Sequence, residues 1–155
     1  MPQQFPAIRL VALDLDGTLL NREGHVTPRT RAALQAAVDK GVYIVPATGR
    51  PLASLPPEVA QLPGIRYAIT SNGAAVYHLP DRLCIHESAM EPALVCPIIE
   101  ELQKKSIHMD AFINGDGFSQ RSCEGKIDCL DMPTSIKRYI CLLYTSPSPR
   151  DRTRS

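Results

Sequence analysis

Two carboxylates stand two residues apart in Asp14-Leu15-Asp16-Gly17-Thr18, directly after the apolar run Ile8 to Leu13. Such a pair at the end of a strand can bind a hard cation through oxygen. It can also divide the labour of phosphoryl transfer. Asp14 would attack phosphorus as a nucleophile and form an acyl phosphate. Asp16 would protonate the leaving alcohol and then deprotonate the hydrolytic water. Gly17 lets the backbone turn, so that N–H groups approach the phosphoryl oxygens, and Thr18 can cap that turn. An Asp-x-Asp pair alone is common on solvated loops. The apolar strand leading directly into it singles this one out.

Two further segments carry polar groups at strand ends. Pro46-Ala47-Thr48-Gly49-Arg50-Pro51 closes a second apolar run, and the Thr48 hydroxyl there can hydrogen-bond a transferring phosphoryl oxygen. Arg50 could bind phosphate, orient the loop or form a structural ion pair. Ser71-Asn72-Gly73 follows a third run; Asn72 could reach the nucleophile loop or substrate, or it could serve a plain turn, since Asn-Gly favours positive φ.

The elements that must position these residues read as β-α-β-α-β. Arg9 to Leu13 is a short buried strand. After a loop containing Gly24, Thr27-Pro28 starts a helix, with a hydroxyl at the cap and proline at the first helical position. That helix runs to Lys40, Gly41 stops it, and Val42 to Ala47 is the second strand. Leu52 to Leu62 is helical in part, restarting at Pro56-Pro57, and Tyr67 to Thr70 is the third strand. A βαβ crossover makes the strands parallel, and ligands of such sheets bind at their carboxyl ends, which groups Asp14 with Thr48. Ala74 to His78 and Leu83 to His86 read as further strands.

The pattern then changes. Pro92 to Lys105 is an amphipathic helix with Leu94, Val95, Ile98, Ile99 and Leu102 at helical spacing, a stripe read as core packing. His108 to Ile113 and Phe118 to Arg121 read as strands joined by the turn Asn114-Gly115-Asp116-Gly117. This part is expected to be an α+β module lying over the site as a lid.

Asp-Leu-Asp-Gly-Thr-Leu-Leu after a strand near the N-terminus resembles the first motif of the haloacid dehalogenase superfamily. Thr48 matches its second motif, and Thr-Gly-Arg-Pro with Ser71-Asn72-Gly73-Ala74 resembles its Cof-type branch (subfamily IIB). The resemblance covers Ile8 to Ile140. It implies a Rossmann-like α/β core, of which residues 1–82 are the N-terminal half, and part of an α+β C2-type cap over 83–140. It implies a Mg²⁺-dependent phosphatase acting on small phosphorylated metabolites through a phospho-aspartate. Asp14 and Asp16 would be catalytic and metal-binding; Gly17, Thr48, Gly49, Arg50 and Asn72 would bind the substrate phosphate. The family's third-motif Lys and its Gly-Asp-x-x-Asn-Asp segment have no match, since Gly115-Asp116-Gly117 comes too early and Lys104, Lys105, Lys126 and Lys137 fall in the cap region. Without them this chain by itself is expected to be inactive. Cys141 to Asp151 looks like a translated sequencing adapter, so 141–155 is read as a non-native tail. A phosphomutase of the same superfamily is the neighbouring alternative. A non-catalytic phospho-acceptor domain is the distant one, though a receiver carries its Asp on the third strand.

Composition narrows the rest. With a net charge of +1 and 5% aromatic residues, nothing favours nucleic acid or an anionic membrane as partner. No stretch approaches the roughly 20 apolar residues that span a bilayer. Five cysteines without a leader favour reduced thiols and the cytoplasm, and the lack of Cys-x-x-Cys argues against zinc. Cys123 and Cys129 read as ordinary thiols, and the scattered His25, His78, His86 and His108 read as surface or cap residues.

Overall fold

The computed structural model describes residues 7–105 and 109–119. The tail expected from Cys141, the cysteines at 123 and 129, Lys126, Lys137, His108 and the strand end at Arg121 lie outside them.

Leu10–Leu13 forms β1 and Tyr43–Pro46 forms β2, paired in parallel with Leu10 opposite Tyr43 and Leu13 opposite Pro46. Between them runs α1, Pro28–Asp39. The Thr27 hydroxyl accepts the Thr30 amide, Pro28 opens the first turn, and Gly41 leaves the helix at φ +77°. The second connection is a 3-10 turn over Leu52–Ser54 followed by the single-turn helix α2, Pro57–Ala60. It leads to β3, Tyr67–Thr70, which joins β2 through parallel bridges Ile44–Ile65 and Ala47–Ile69. β4, Ala75–His78, and β5, Leu83–Glu87, extend the sheet as an antiparallel meander. The order is therefore β1-β2-β3-β4-β5. The boundary expected at 82 falls inside that meander: β5, grouped in the sequence with the cap, hydrogen-bonds to β4.

The core sits under the loop that follows β1. Leu15, Leu19, Leu20, Ile44, Val59 and Ala68 are buried, and Leu34, Ala37 and Val38 of α1 pack against them. Burying a Leu or Ile contributes about 1.5–3 kcal/mol each, so this cluster holds β1, β2 and β3 to α1 and α2. Gly64 fits the turn before β3 closely against α1. It has φ +78°, and a Cβ on it would lie 2.5 Å from Val38 Cγ2.

The rest comprises α3, Pro92–Lys104, and a hairpin of β6, Asp110–Ile113, with β7, Asp116–Ser119. Two expectations change here. The hairpin turn is the two residues Asn114 and Gly115, at φ 52° and 82°, so Asp116 and Gly117 belong to the strand. Two residues with positive φ match the right-handed twist of the flanking strands, which a longer turn would not need. The apolar stripe of α3, expected to be core, is covered only in part: Leu94 and Ile98 are 59% and 42% exposed, while Val95, Ile99 and Leu102 are half-buried.

β1 has β2 on one edge and no partner on the other among the described residues. Ile8, Leu10 and Tyr43 beside it are exposed. Such an edge recruits strands from other copies. Expressed as these 155 residues, the protein should self-associate in the micromolar range; a single monomeric species by sedimentation velocity would contradict this. Gly64→Ala should lower stability by about 1–3 kcal/mol, read as a fall in the urea midpoint, since it adds strain at positive φ as well as the Val38 clash.

Candidate active site

The loop after β1 is fixed by the residue between its two acids. Leu15 is 0% exposed, and its carbonyl accepts the amides of Thr18 (3.3 Å) and Leu20 (2.8 Å). The Asp14 carbonyl accepts the Leu19 amide at 3.1 Å. Gly17 turns the chain at φ +79°, where a Cβ would meet nothing, so the conformation and not the space requires glycine. With Leu15 driven into the core, Asp14 and Asp16 both face one cleft of about 450 Å³. Asp14 is exposed and Asp16 half-buried.

Arg50 crosses from the end of β2 to grip Asp16. Nη2 donates to Oδ1 at 2.6 Å and Nε donates to Oδ2 at 2.9 Å, a two-pronged pair with the arginine side chain only 7% exposed. Nη1 reaches the Ser54 carbonyl at 3.4 Å. Of the roles open to Arg50 in the sequence, the ion pair is the one formed. Its guanidinium is engaged with a carboxylate, although it still borders the cleft.

Thr48, Gly49 and Asn72 are brought together by cross-strand bonds. The Ala47 amide donates to Leu13 (2.7 Å) and the Thr48 amide to Ile69 (3.0 Å), which aligns the ends of the first three strands. Ser71 N–H then donates to the Arg50 carbonyl (2.9 Å) and Asn72 N–H to the Thr48 carbonyl (3.2 Å). This folds the third-strand turn onto the second loop. Ser71 and Asn72 hold positive φ of 52° and 57° to do so. The Thr48 side chain is buried, and its Oγ1 accepts the Arg50 amide at 3.2 Å, leaving the O–H to donate. Gly49 makes room: a Cβ there would lie 2.7 Å from Asn72 Oδ1. The cleft is thus bordered by all five of Asp14, Asp16, Thr48, Gly49 and Arg50, and by Asn72, whereas Gly17 shapes the loop from outside.

Two residues that the sequence did not mark complete the cleft. Asp110 and Phe112 reach it from β6. The hairpin is held there by its tip. The Ala53 amide donates to the Gly115 carbonyl at 2.8 Å, and a Cβ on Gly115 would lie 3.1 Å from Tyr77 Oη and 3.2 Å from Leu52 Cβ. Burial first, and then Cys84 beside it, raise the Tyr77 phenol above its ordinary pKa, so it stays neutral under the tip. Alternation along β6 puts Asp110 and Phe112 on one face, but the docking that aims that face is a contact some sixty residues distant in sequence.

Magnesium takes one or two carboxylates and fills its octahedron with waters and phosphate oxygens. Asp14 suits that demand, being exposed and in no ion pair among the described residues. Asp16, expected beside it as a ligand, has both oxygens against Arg50. No cluster of three or more His, Cys, Asp or Glu side chains among the described residues could hold a metal. The residues fit a magnesium ion as one carboxylate of a partly built site.

The model of the haloacid dehalogenase-like hydrolase family matches residues 11–143, and the chain belongs to that family. Over 83 residues it is 39% identical to 5-amino-6-(5-phospho-D-ribitylamino)uracil phosphatase YcsE of Bacillus subtilis, covering 51% of this chain and 33% of that one. It is 38% identical over 103 residues to HMP-PP phosphatase of Serratia proteamaculans, covering 66% of this chain and 36% of that one. Among solved structures, the subclass IIB sugar phosphatase BT4131 superposes with a TM-score of 0.61 at 28% identity, over 72% of this chain and 43% of that one. BT1666 from Bacteroides thetaiotaomicron shares the fold at a TM-score of 0.70 and 23% identity, over 100% of this chain and 55% of that one. The core is the Rossmann-like α/β sheet of this family. The chain spans about a third of the length of the curated relatives it matches.

If the Arg50–Asp16 fork holds the two strand ends together, Arg50→Gln should cost about 3 kcal/mol by leaving a half-buried carboxylate unpaired. Adding Asp16→Asn should recover much of that loss. A urea-denaturation cycle in which the two changes are additive would refute the coupling.

Proposed function

We propose that the protein carrying these residues is a magnesium-dependent phosphomonoesterase that works through a phospho-aspartate. The observation that carries the reading is one cleft in which an exposed Asp14, a clamped Asp16 and the Thr48 hydroxyl meet at the carboxyl ends of β1 and β2.

In this mechanism an Asp14 oxygen forms a bond to phosphorus while the bond from phosphorus to the ester oxygen breaks. Asp16, a carboxylate in the resting fork, acts once it has taken up a proton from solvent: the leaving oxygen takes that proton, and the free alcohol departs. Asp16, now a carboxylate, removes a proton from water. That water attacks phosphorus, releasing inorganic phosphate and restoring Asp14. The Arg50 fork fixes the plane of the Asp16 carboxylate, and a group held to a narrow range of positions transfers protons more efficiently than a free one. The Thr48 O–H would donate to a phosphoryl oxygen. Magnesium, held in part by Asp14, would supply the positive charge that lets one anion approach another.

The relatives' names support small phosphorylated metabolites as substrates. A phosphotransfer from substrate to Asp14 and back to a second substrate hydroxyl would make the protein a mutase, and no feature of the cleft favours that outcome. For the 155-residue chain alone we infer no turnover: no lysine borders the cleft among the described residues, and no cluster of three or more metal-ligating side chains is found among them.

The full-length protein should hydrolyse p-nitrophenyl phosphate only with added Mg²⁺, and Asp14→Asn should lower kcat by about a thousandfold or more, as loss of a covalent nucleophile does. Acid quenching should trap phosphate on Asp14. Hydrolysis that survives Asp14→Asn would refute the assignment.

A further inference from the structure

The connection from β2 to β3 grips the loop after β1 twice. Arg50 holds Asp16 at the near end. Farther along, in the single turn of α2, Glu58 holds the far end. Its Oε1 accepts the Val26 amide at 3.3 Å, and its Oε2 lies 3.3 Å from His25 Nδ1. Arg31 of α1 donates through Nη2 to Oε1 at 3.0 Å. One carboxylate thus joins the loop, α1 and α2. Glu58 does not border the cleft, so it has no part in making or breaking bonds. We propose that Glu58 is a positioning residue of the phosphoryl transfer: it clamps the return limb of the nucleophile loop and through that limb keeps Asp14 aimed into the cleft. The proposal rests on the phosphomonoesterase reading.

Few bonds separate the clamp from Asp14. Residues 21–25 form a tight turn. The Asn21 amide donates to the His25 carbonyl at 2.9 Å, and Asn21 Oδ1 accepts the His25 amide at 2.8 Å. A turn closed by its own bonds moves as one piece. In front of it stand Leu19 and Leu20, whose amides hold the carbonyls of Asp14 and Leu15. Behind it stands Val26, whose side chain enters the core. A displacement at Val26 is therefore carried by the turn to the two amides that fix the Asp14 backbone.

The energetics favour such a displacement once Glu58 is lost. Val26 is buried, and among the described residues its N–H has no acceptor besides Glu58. A buried N–H without a partner is costly, so the limb would swing outward until water met that amide. A shift of about 1 Å in a reacting group is enough to lower a rate a hundredfold. The ion pairs themselves contribute little to folding. The side chains of Glu58, His25 and Arg31 are 31%, 64% and 45% exposed, and pairs so solvated add little to global stability. The clamp therefore decides where the limb rests more than whether the protein folds.

Kinetics and amide exchange on the full-length protein test the clamp. Glu58→Ala should lower kcat for p-nitrophenyl phosphate by about tenfold to a hundredfold and move KM by no more than about twofold. Glu58→Gln keeps an oxygen for the Val26 amide and Arg31, and should hold kcat within about threefold of the unsubstituted protein. Hydrogen exchange at the Leu19 and Leu20 amides should quicken by about tenfold in Glu58→Ala while the β3–β4 ladder stays unchanged; a general loss of stability would quicken both. If Glu58→Ala does not fold, His25→Ala combined with Arg31→Ala strips the carboxylate of its side-chain partners and should lower kcat by about tenfold. A kcat unmoved by Glu58→Ala, or lowered as far by Glu58→Gln, would overturn the proposal, and so would unchanged exchange at Leu19 and Leu20. Absence of Asp14-dependent hydrolysis in the unsubstituted protein would overturn the enzyme reading instead, while the exchange rates would still decide whether Glu58 holds the loop.

Discussion

The fork between Arg50 and Asp16 joins what the chain otherwise leaves separate. Each partner stands at the end of a different strand, and they are 34 positions apart in the chain. A half-buried carboxylate is costly unless its charge is met, and the guanidinium meets both oxygens at once. The neighbouring details follow from that demand. Arg50 must leave β2 at the right angle, which its own amide helps set by donating to Thr48. Its carbonyl then receives the Ser71 amide, so the third-strand turn is fastened to the same residue. One side chain and its backbone thus relate three strand ends.

Steric constraints complete the arrangement. Gly49 has no side chain because Asn72 occupies that space. Leu15 fixes the acids from beneath, since a fully buried leucine cannot rotate its neighbours away without leaving the core. The polar side of the loop owes its position to the apolar side. The cluster beneath it also packs against α1, so the nucleophile loop rests on the hydrophobic core that joins the sheet to that helix.

The sequence made some of this legible and hid the rest for physical reasons. The βαβ frame, the Thr27 cap, the Asp14–Asp16 loop and the Thr48 position depend on local pattern, and each was readable from a few adjacent residues. The partner of Arg50 was not, because an ion pair depends on which strand ends become neighbours. The hairpin was read as a hairpin, but one turn residue pair too long, and where its tip would dock had no signature at all. Nor did period-3.6 hydrophobicity reveal that Leu94 and Ile98 of the α3 stripe are exposed: amphipathicity states that a face seeks cover and not what covers it. β5 was grouped with the cap by the boundary that the family resemblance implied at 82, while its ladder to β4 follows backbone pairing that no short motif records.

Gly115 sets a length as well as a turn. The tip can rest on Leu52 and Tyr77 only while the hairpin closes with two residues and the contacting position lacks a side chain. The span from that fixed point back along β6 to Phe112 and Asp110 is a set number of strand residues. The hairpin therefore works as a gauge for the depth of the cleft beneath β6: each added pair of residues would shift Asp110 and Phe112 by a strand step relative to the tip.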